Sequence, residues 1–267
     1  MSGSFDERGQ LDHKRGTFIV CTGKKESGKS VMAGAFAMSW PYDMVVLDIA
    51  GDDGPFVRKE PDSRTHDVID LTGTVEDLPR SWPEYQRREK RPMILRYVPD
   101  PGSATELEDM DAVTGLAFSH STKERPAMLL VHEMGRAAPA GRTPAHMRRV
   151  LNHNRHRGLT AVFCGPRPMT VDPLVIAQAD LVYTFELNQP SDRKRVSDNI
   201  GWDPAEFDQA VHDLGLHEYL LYDARLPKPE QEGDEDDRLV HHDALPPVVV
   251  EQVQAWIAAE APSRARE

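Results

Sequence analysis

At 267 residues and a formal net charge of −12, the chain is long enough to bury a full α/β core and too acidic to adhere indiscriminately to nucleic acid. Its longest apolar stretches are strand-sized and no cleavable leader pattern opens it, so a soluble, cytoplasmic protein with no membrane span is expected. Cys21 and Cys164 lie far apart inside apolar runs without zinc-ligand spacing, and read as reduced core thiols.

In chain order, residues 1–14 are polar and read as a disordered start. TFIVCT (17–22) is a β-branched strand that leads into a glycine loop, and VMAGAFAMSW (31–40) follows as a helix stopped by Pro41. MVVLDIA (44–50) is a second strand closing on Asp48 and the turn-rich GDDGP. Strand, loop, helix and strand make a βαβ unit, hence a parallel sheet covered on both faces. Residues 80–92 read as a charged helix or loop, and MILRYV (93–98) as a third strand. A helix over 104–120 begins behind Ser103, with Glu106 at capping-box spacing.

AMLLVHE (127–133), LTAVFCG (159–165) and ADLVYTFEL (179–187) continue the strands, with a helix around 144–156 between the first two. Helices over 191–200 and 204–214 come next, the latter started by Asp203-Pro204, and then a last strand, EYLLYDA (218–224). The alternation predicts a doubly wound, mostly parallel α/β sheet over 15–225. Residues 226–247 read as a Pro-rich acidic linker, with Glu230, Glu232, Asp234, Glu235, Asp236 and Asp237 too polar to pack. Within the final 248–267, VVVEQVQAWIAAEA is a short amphipathic helix, docked on the core or on a neighbour.

Residues 23–30, GKKESGKS, match G-x-x-x-x-G-K-[ST] without deviation and lie between strand and helix start, as a phosphate loop requires. Gly23 and Gly28 permit the curvature that turns successive amides inward, and the helix start adds its positive dipole end. Lys29 is expected to reach the β- and γ-phosphates of ATP and Ser30 to ligate Mg²⁺. Lys24, Lys25, Glu26 and Ser27 contribute mainly backbone, and Val31 closes the binding set. Hydrolysis also needs a carboxylate that polarises water, expected at the end of a strand beside the phosphate-loop strand. AMLLVHE places Glu133 there. The Asp that commonly precedes this Glu is here His132, which brings no negative charge and would act on magnesium through water, with Asp48 as a further metal candidate.

The phosphate loop, LLVHE, NRHRGLTAVFCGPRP (154–168) and AQADLVYTFEL (177–187) together resemble the FtsK–HerA superfamily of P-loop ATPases, over roughly 15–225. The resemblance implies a RecA/additional-strand-like core, ATP hydrolysis coupled to DNA translocation, packaging or transfer, and a homo-oligomeric ring. In this family a polar sensor, often Gln, ends the strand after the acidic element and precedes Arg-Pro; here Pro166 takes that position before Arg167-Pro168. Arg155 and Arg157 match the family's basic segment and are candidates for an arginine supplied in trans, with Arg167 as a competitor. Residues 142–157 carry Arg142, His146, Arg148, Arg149, His153, Arg155, His156 and Arg157 without an acidic residue, a surface suited to phosphates of double-stranded DNA or of ATP across a subunit boundary. A portal, membrane or adaptor protein is a further implied partner, and a virus- or mobile-element-borne chain would work in host cytoplasm. Two alternatives stay open: a nucleotide-dependent switch with slow ATPase activity, and a P-loop small-molecule kinase.

Overall fold

The computed structural model describes residues 13, 15–49, 66–73, 75, 92–228 and 236–259. The readings made for 1–12, 51–55, 80–91, 229–235 and 260–267 lie outside the described residues. The strands are β1 (Phe18–Thr22), β2 (Met44–Leu47), β3 (Asp67–Thr72), β4 (Met93–Val98), β5 (Ala127–Val131), β6 (Leu159–Gly165), β7 (Leu181–Thr184), β8 (Tyr219–Asp223) and β9 (Leu239–His242). They join one sheet in the order β3-β4-β2-β5-β6-β1-β7-β8-β9. β1 to β7 pair parallel, and β8 and β9 add an antiparallel margin.

The helices are α1 (Lys29–Met38), α2 (Glu106–His120), α3 (Met134–Ala137), α4 (Ala145–Arg157), α5 (Pro173–Ala177), α6 (Pro190–Ile200), α7 (Pro204–His212) and α8 (Pro247–Ala259). Successive strand side chains point to opposite faces, so the apolar runs feed two cores at once. Phe18, Val20, Val45, Leu47, Leu95 and Leu129 pack with Met110 and Val113 of α2, Val150 of α4 and Val196 of α6. Ile19, Cys21, Met44, Val46, Met128 and Cys164 pack on the other face with Met32, Ala33 and Ala37 of α1 and with Trp40. This is the doubly wound arrangement that the alternation implies.

Local chemistry sets several element ends. Asp203 caps α7 by accepting from the Ala205 and Glu206 amides at 2.9 and 3.0 Å. Asp111 of α2 accepts from the His146 and Met147 amides at 3.1 and 2.8 Å, supplying from outside the cap that α4 lacks at Pro144. The capping box at Ser103 does not form. α2 starts at Glu106 behind Thr105, Ser103 Oγ accepts from the Thr105 amide, and Glu106 pairs instead with Arg136 on α3. A guanidinium offers a carboxylate a stronger partner than a backbone amide, and the one amide bond Glu106 accepts, from Gly102 at 3.4 Å, is long.

Two strands escape the sequence reading. Among the described residues β3 is an edge strand that pairs with β4 alone, and its Asp67 and Asp70 break the apolar run by which strands are recognised. β9 lies within the stretch read as linker and pairs with β8. Beyond it α8 lies against α1, with Val253 completely buried. Among the described residues, no helix is long and apolar enough to cross a membrane.

Asp180 ties three strands together at the start of β7. Its buried carboxylate accepts from the Phe18 amide at 2.8 Å, its own amide donates to the Phe18 carbonyl, and its carbonyl accepts from the Ala224 amide just past β8. Asp180→Ala is expected to leave the Phe18 N–H buried and unmatched and to lower unfolding free energy by about 1–3 kcal/mol in urea titrations.

Candidate functional site

β1 delivers the chain to the loop, where Gly23 adopts φ 156° and Gly28 adopts φ 108° as the residue that opens α1. A Cβ on Gly23 would stand 2.6 Å from Phe185 Cβ, and one on Gly28 would stand 3.1 Å from Phe185 Cε1. Backbone angle and close approach therefore both require glycine at these positions. Between them Glu26 sits in the left-handed region at φ 63°, which completes the loop's curl.

The loop is tied to the residue after Phe185. The Lys24 amide donates to the Glu186 carbonyl at 2.7 Å, and Lys24 Nζ pairs with Glu186 Oε2 at 2.6 Å. Lys29 Nζ donates to the Lys24 carbonyl at 2.6 Å, which curls its side chain over the loop. Burial pushes the Lys29 ammonium below its ordinary value, and the charge of Glu133 is among those pulling it back. Ser27 Oγ is buried and has no hydrogen-bond partner among the described residues. Lys25 and Ser30 are exposed, and Val31 is half-buried on the first turn of α1.

These groups fit a magnesium-bound polyphosphate. The lysine supplies positive charge, the buried Ser27 hydroxyl lacks a partner among the described residues, and Ser30 and the first amides of α1 open the helix's positive end. Among the described residues no cluster of three or more His, Cys, Asp and Glu is arranged to hold a metal ion. Magnesium here would be held through Ser30 and the phosphates themselves, a common way for this ion to bind.

The acidic element lies across one intervening strand. The sequence reading put it beside β1; in the sheet β6 stands between β1 and β5, which is the correction the strand order makes. Contact is kept through the end of β6: Thr22 Oγ1 donates to the Gly165 carbonyl at 3.0 Å, and Met134, next to Glu133, packs on Gly165. Glu133 itself is exposed and holds φ 58°, ψ 56°, a left-handed conformation for a residue with a side chain. That conformation costs about 1–2 kcal/mol and turns the carboxylate away from the line of the strand.

His132 precedes it with Nε2 buried and without a partner among the described residues. Burial pushes this imidazole below its ordinary value, against the pull of Asp48, so the ring is neutral near pH 7. Asp48 follows β2, three places from β1 in the sheet, and accepts from Arg96 Nη2 and Nε at 2.6 and 3.0 Å. Arg96 also reaches Asp70 on β3 at 3.6 Å. Asp48 is thus committed to a buried ion pair.

The three candidate arginines separate onto two edges. Arg155 pairs with Asp180 at the start of β7, and Arg157 donates to the Phe118 and Ser119 carbonyls at 3.2 and 2.6 Å, so both stand where the parallel strands begin. Arg167 follows the C-terminal end of β6, on the edge of the loop and Glu133, and its Nε donates to Asp192 at 2.9 Å. Arg148, Arg149 and His153 are exposed on α4 and, with Thr143, Ala145 and Asn152, line a groove of about 430 Å³.

A nine-stranded, mostly parallel sheet with a strand-loop-helix phosphate cradle defines a P-loop NTPase fold. No family model and no curated protein matches the chain. Among solved structures it is similar to the genome packaging NTPase B204 from Sulfolobus turreted icosahedral virus 2 in complex with AMP, with a TM-score of 0.59 and 18% identity over 86% of this chain and 98% of that one. The same protein in complex with AMPPCP gives a TM-score of 0.58 at 18% identity, over 86% and 99% of the two chains. B204, the DNA-packaging ATPase from Sulfolobus Turreted Icosahedral Virus, gives 0.56 at 18% identity, over 86% and 98%. The likeness drawn from the sequence therefore holds at the level of fold.

Several contributors were not read from the sequence. Ser27 is read from the sequence as a backbone contributor, yet its hydroxyl is buried and unmatched among the described residues. Arg96 is a charge inside the apolar run MILRYV, a signal that it must have a buried partner. Phe185 and His217 flank Gly28, and neither has a periodicity that singles it out.

At most positions Ala is more stable than Gly by about 0.4–1 kcal/mol through the unfolded chain. At position 133 the order should reverse: Glu133→Gly is expected to be more stable than Glu133→Ala by about 1 kcal/mol in denaturant unfolding, because only glycine relieves the left-handed strain.

Proposed function

We propose that the chain is an ATP-hydrolysing motor that moves double-stranded DNA, working as a ring of identical subunits. The observation that carries this reading is the conjunction of a complete phosphate loop with a strained, exposed Glu133, joined through the end of β6, in a fold shared with a DNA-packaging ATPase. Lys29 and the loop amides would hold the triphosphate tail, Ser30 the magnesium, and Glu133 would accept a proton from the attacking water. Magnesium would supply neutralisation of charge developing between the β- and γ-phosphates. His132, neutral and with a free buried nitrogen among the described residues, would hydrogen-bond a water in that shell.

DNA would be held by backbone phosphates on the exposed basic face of α4, where Arg148, Arg149 and His153 converge and no acidic side chain of that helix competes. Of the arginines, Arg167 shares its edge with the loop, which favours it for a contact across a boundary between subunits at equal height; Arg155 and Arg157 lie a strand's length away, roughly 15 Å. A portal, membrane or adaptor partner would recruit the ring to its substrate, and the cytoplasm, or host cytoplasm for a virus-borne chain, is the compartment proposed.

A second reading, a nucleotide-dependent switch with slow turnover, is favoured by one observation: a neutral histidine stands where an acid would strengthen the metal site. ATPase rate with and without double-stranded DNA, read beside particle mass by light scattering, separates the two. The motor predicts strong stimulation and a ring; a slow rate indifferent to DNA would leave the switch. Lys29→Ala should abolish nucleotide binding or turnover, and Glu133→Gln should retain binding and lose about 10²–10⁴-fold in rate. Arg155→Ala, Arg157→Ala or Arg167→Ala in the trans-acting position should lose activity that is restored on mixing with Lys29→Ala subunits.

A further inference from the structure

A second cleft of about 190 Å³ adjoins the phosphate loop. Its floor is Gly28 and Val31, the residues that open and begin α1, and Phe185 forms one wall. The opposite wall comes from the segment after the acidic run, as Ala244, Leu245, Val250 and Gln254. His217 closes one end, with Nδ1 3.7 Å from where a Cβ on Gly28 would stand.

This wall is built rather than incidental. Val253 is completely buried where α8 meets α1, and Leu245 packs into the core cluster that contains Phe185. Phe185 is backed by Tyr219, at 5.5 Å between ring centroids, and Tyr219 stacks on His242 of β9 at 5.2 Å and 13°. The His217 backbone is fixed in the left-handed region at φ 67° by the neighbouring turn, in which Glu218 accepts from the Gly215 amide at 2.7 Å and pairs with His241 at 2.9 Å. β9 and α8 thus hold one side of the cleft, and the phosphate loop holds the other.

We infer that this cleft takes the purine base of the nucleotide whose phosphates lie in the loop, and that the C-terminal segment 239–254 is the base-binding half of the site. The inference rests on the phosphate-loop reading. Gly28 belongs to both loop and cleft, so a ligand held by its phosphates would have its other end against Val31. Ligand pockets usually run to about 300–1,000 Å³, so this smaller space suits one end of a ligand. Its walls are apolar, as an unsaturated ring requires, and its polar groups are few. Gln254 offers an amide donor and acceptor on one side chain, the pair that glutamine presents to the complementary edge of adenine.

The test compares magnesium ATP with magnesium tripolyphosphate, which carries the same charge without a base, by calorimetry on the full chain. Gln254→Ala is expected to weaken ATP by about tenfold while tripolyphosphate binds as in the wild type. Ala244→Trp, which fills the cleft, should erase the preference for ATP over tripolyphosphate. Gln254 is exposed, so its variant keeps the fold even where the tryptophan does not. If both variants bind ATP as tightly as the wild type while Lys29→Ala loses it, the base lies elsewhere and the phosphate loop stands. If the wild type binds neither compound, loop and cleft readings are both overturned.

Discussion

Phe185 packed beneath the two loop glycines is the contact on which the site's shape depends. Phe185 lies too close to Gly23 for a Cβ and tightly against Gly28, both of which hold positive φ, and the residue after it holds the loop by backbone and side chain through Lys24. Phe185 extends β7, which lies next to β1, so the loop is clamped between its own strand and that strand's neighbour. The curl that turns the amides inward is therefore imposed by packing before any ligand arrives, which is the preorganisation an anion site needs in order not to lose binding energy to ordering.

The other side of the site is governed by charge. Arg96 stands inside an apolar strand and neutralises Asp48, so the sheet carries an ion pair where β2 and β4 meet, next to the end of β5. An isolated carboxylate there would be expensive; a paired one contributes a fixed field beside His132 without drawing a proton onto it. Neutral His132 and anionic Glu133 thus differ in character over one peptide bond. Burial governs the imidazole, and a left-handed backbone turns the carboxylate out into solvent. Strain at such a residue persists because the turn into α3 and the packing of Met134 on Gly165 determine its direction from both sides.

What the sequence disclosed follows how local each determinant is. The phosphate loop was legible because eight consecutive residues carry its whole geometry, and β1 and β6 because each is a mostly apolar run in the interior of the sheet. β3 was hidden by Asp67 and Asp70, since an edge strand tolerates charges that a central one does not. β9 was hidden because Leu239–His242 is short, half-exposed and preceded by acidic residues; it becomes a strand only when β8 offers an edge. The capping box failed for a related reason, because Glu106 has a better partner thirty positions away than the amide three positions back. Ser27 and Phe185 were opaque as site residues because their importance lies in what surrounds them, and no spacing encodes that.

The two edges of the parallel sheet carry different electrostatic work, and this separates roles that the sequence presents as one basic stretch. Where the strands begin, Arg155 is matched by buried Asp180 and braces the starts of β1 and β7, while the Arg157 guanidinium is matched by two carbonyls at the end of α2. Where the strands end, Lys29 and the α1 N-terminus concentrate positive potential beside Glu133, with Arg167 on the same edge. Arg148 and Arg149 belong to neither edge and are exposed on α4, Arg148 donating to the Thr143 carbonyl at 3.4 Å and Arg149 lying over the Phe118 ring at 5.1 Å. A run of eight basic side chains therefore resolves into braces and an exposed surface. The exposed part keeps a long hydrogen bond and a ring contact, weaker partners than the buried carboxylate and carbonyls that hold the braces, so phosphate-binding capacity does not follow charge count.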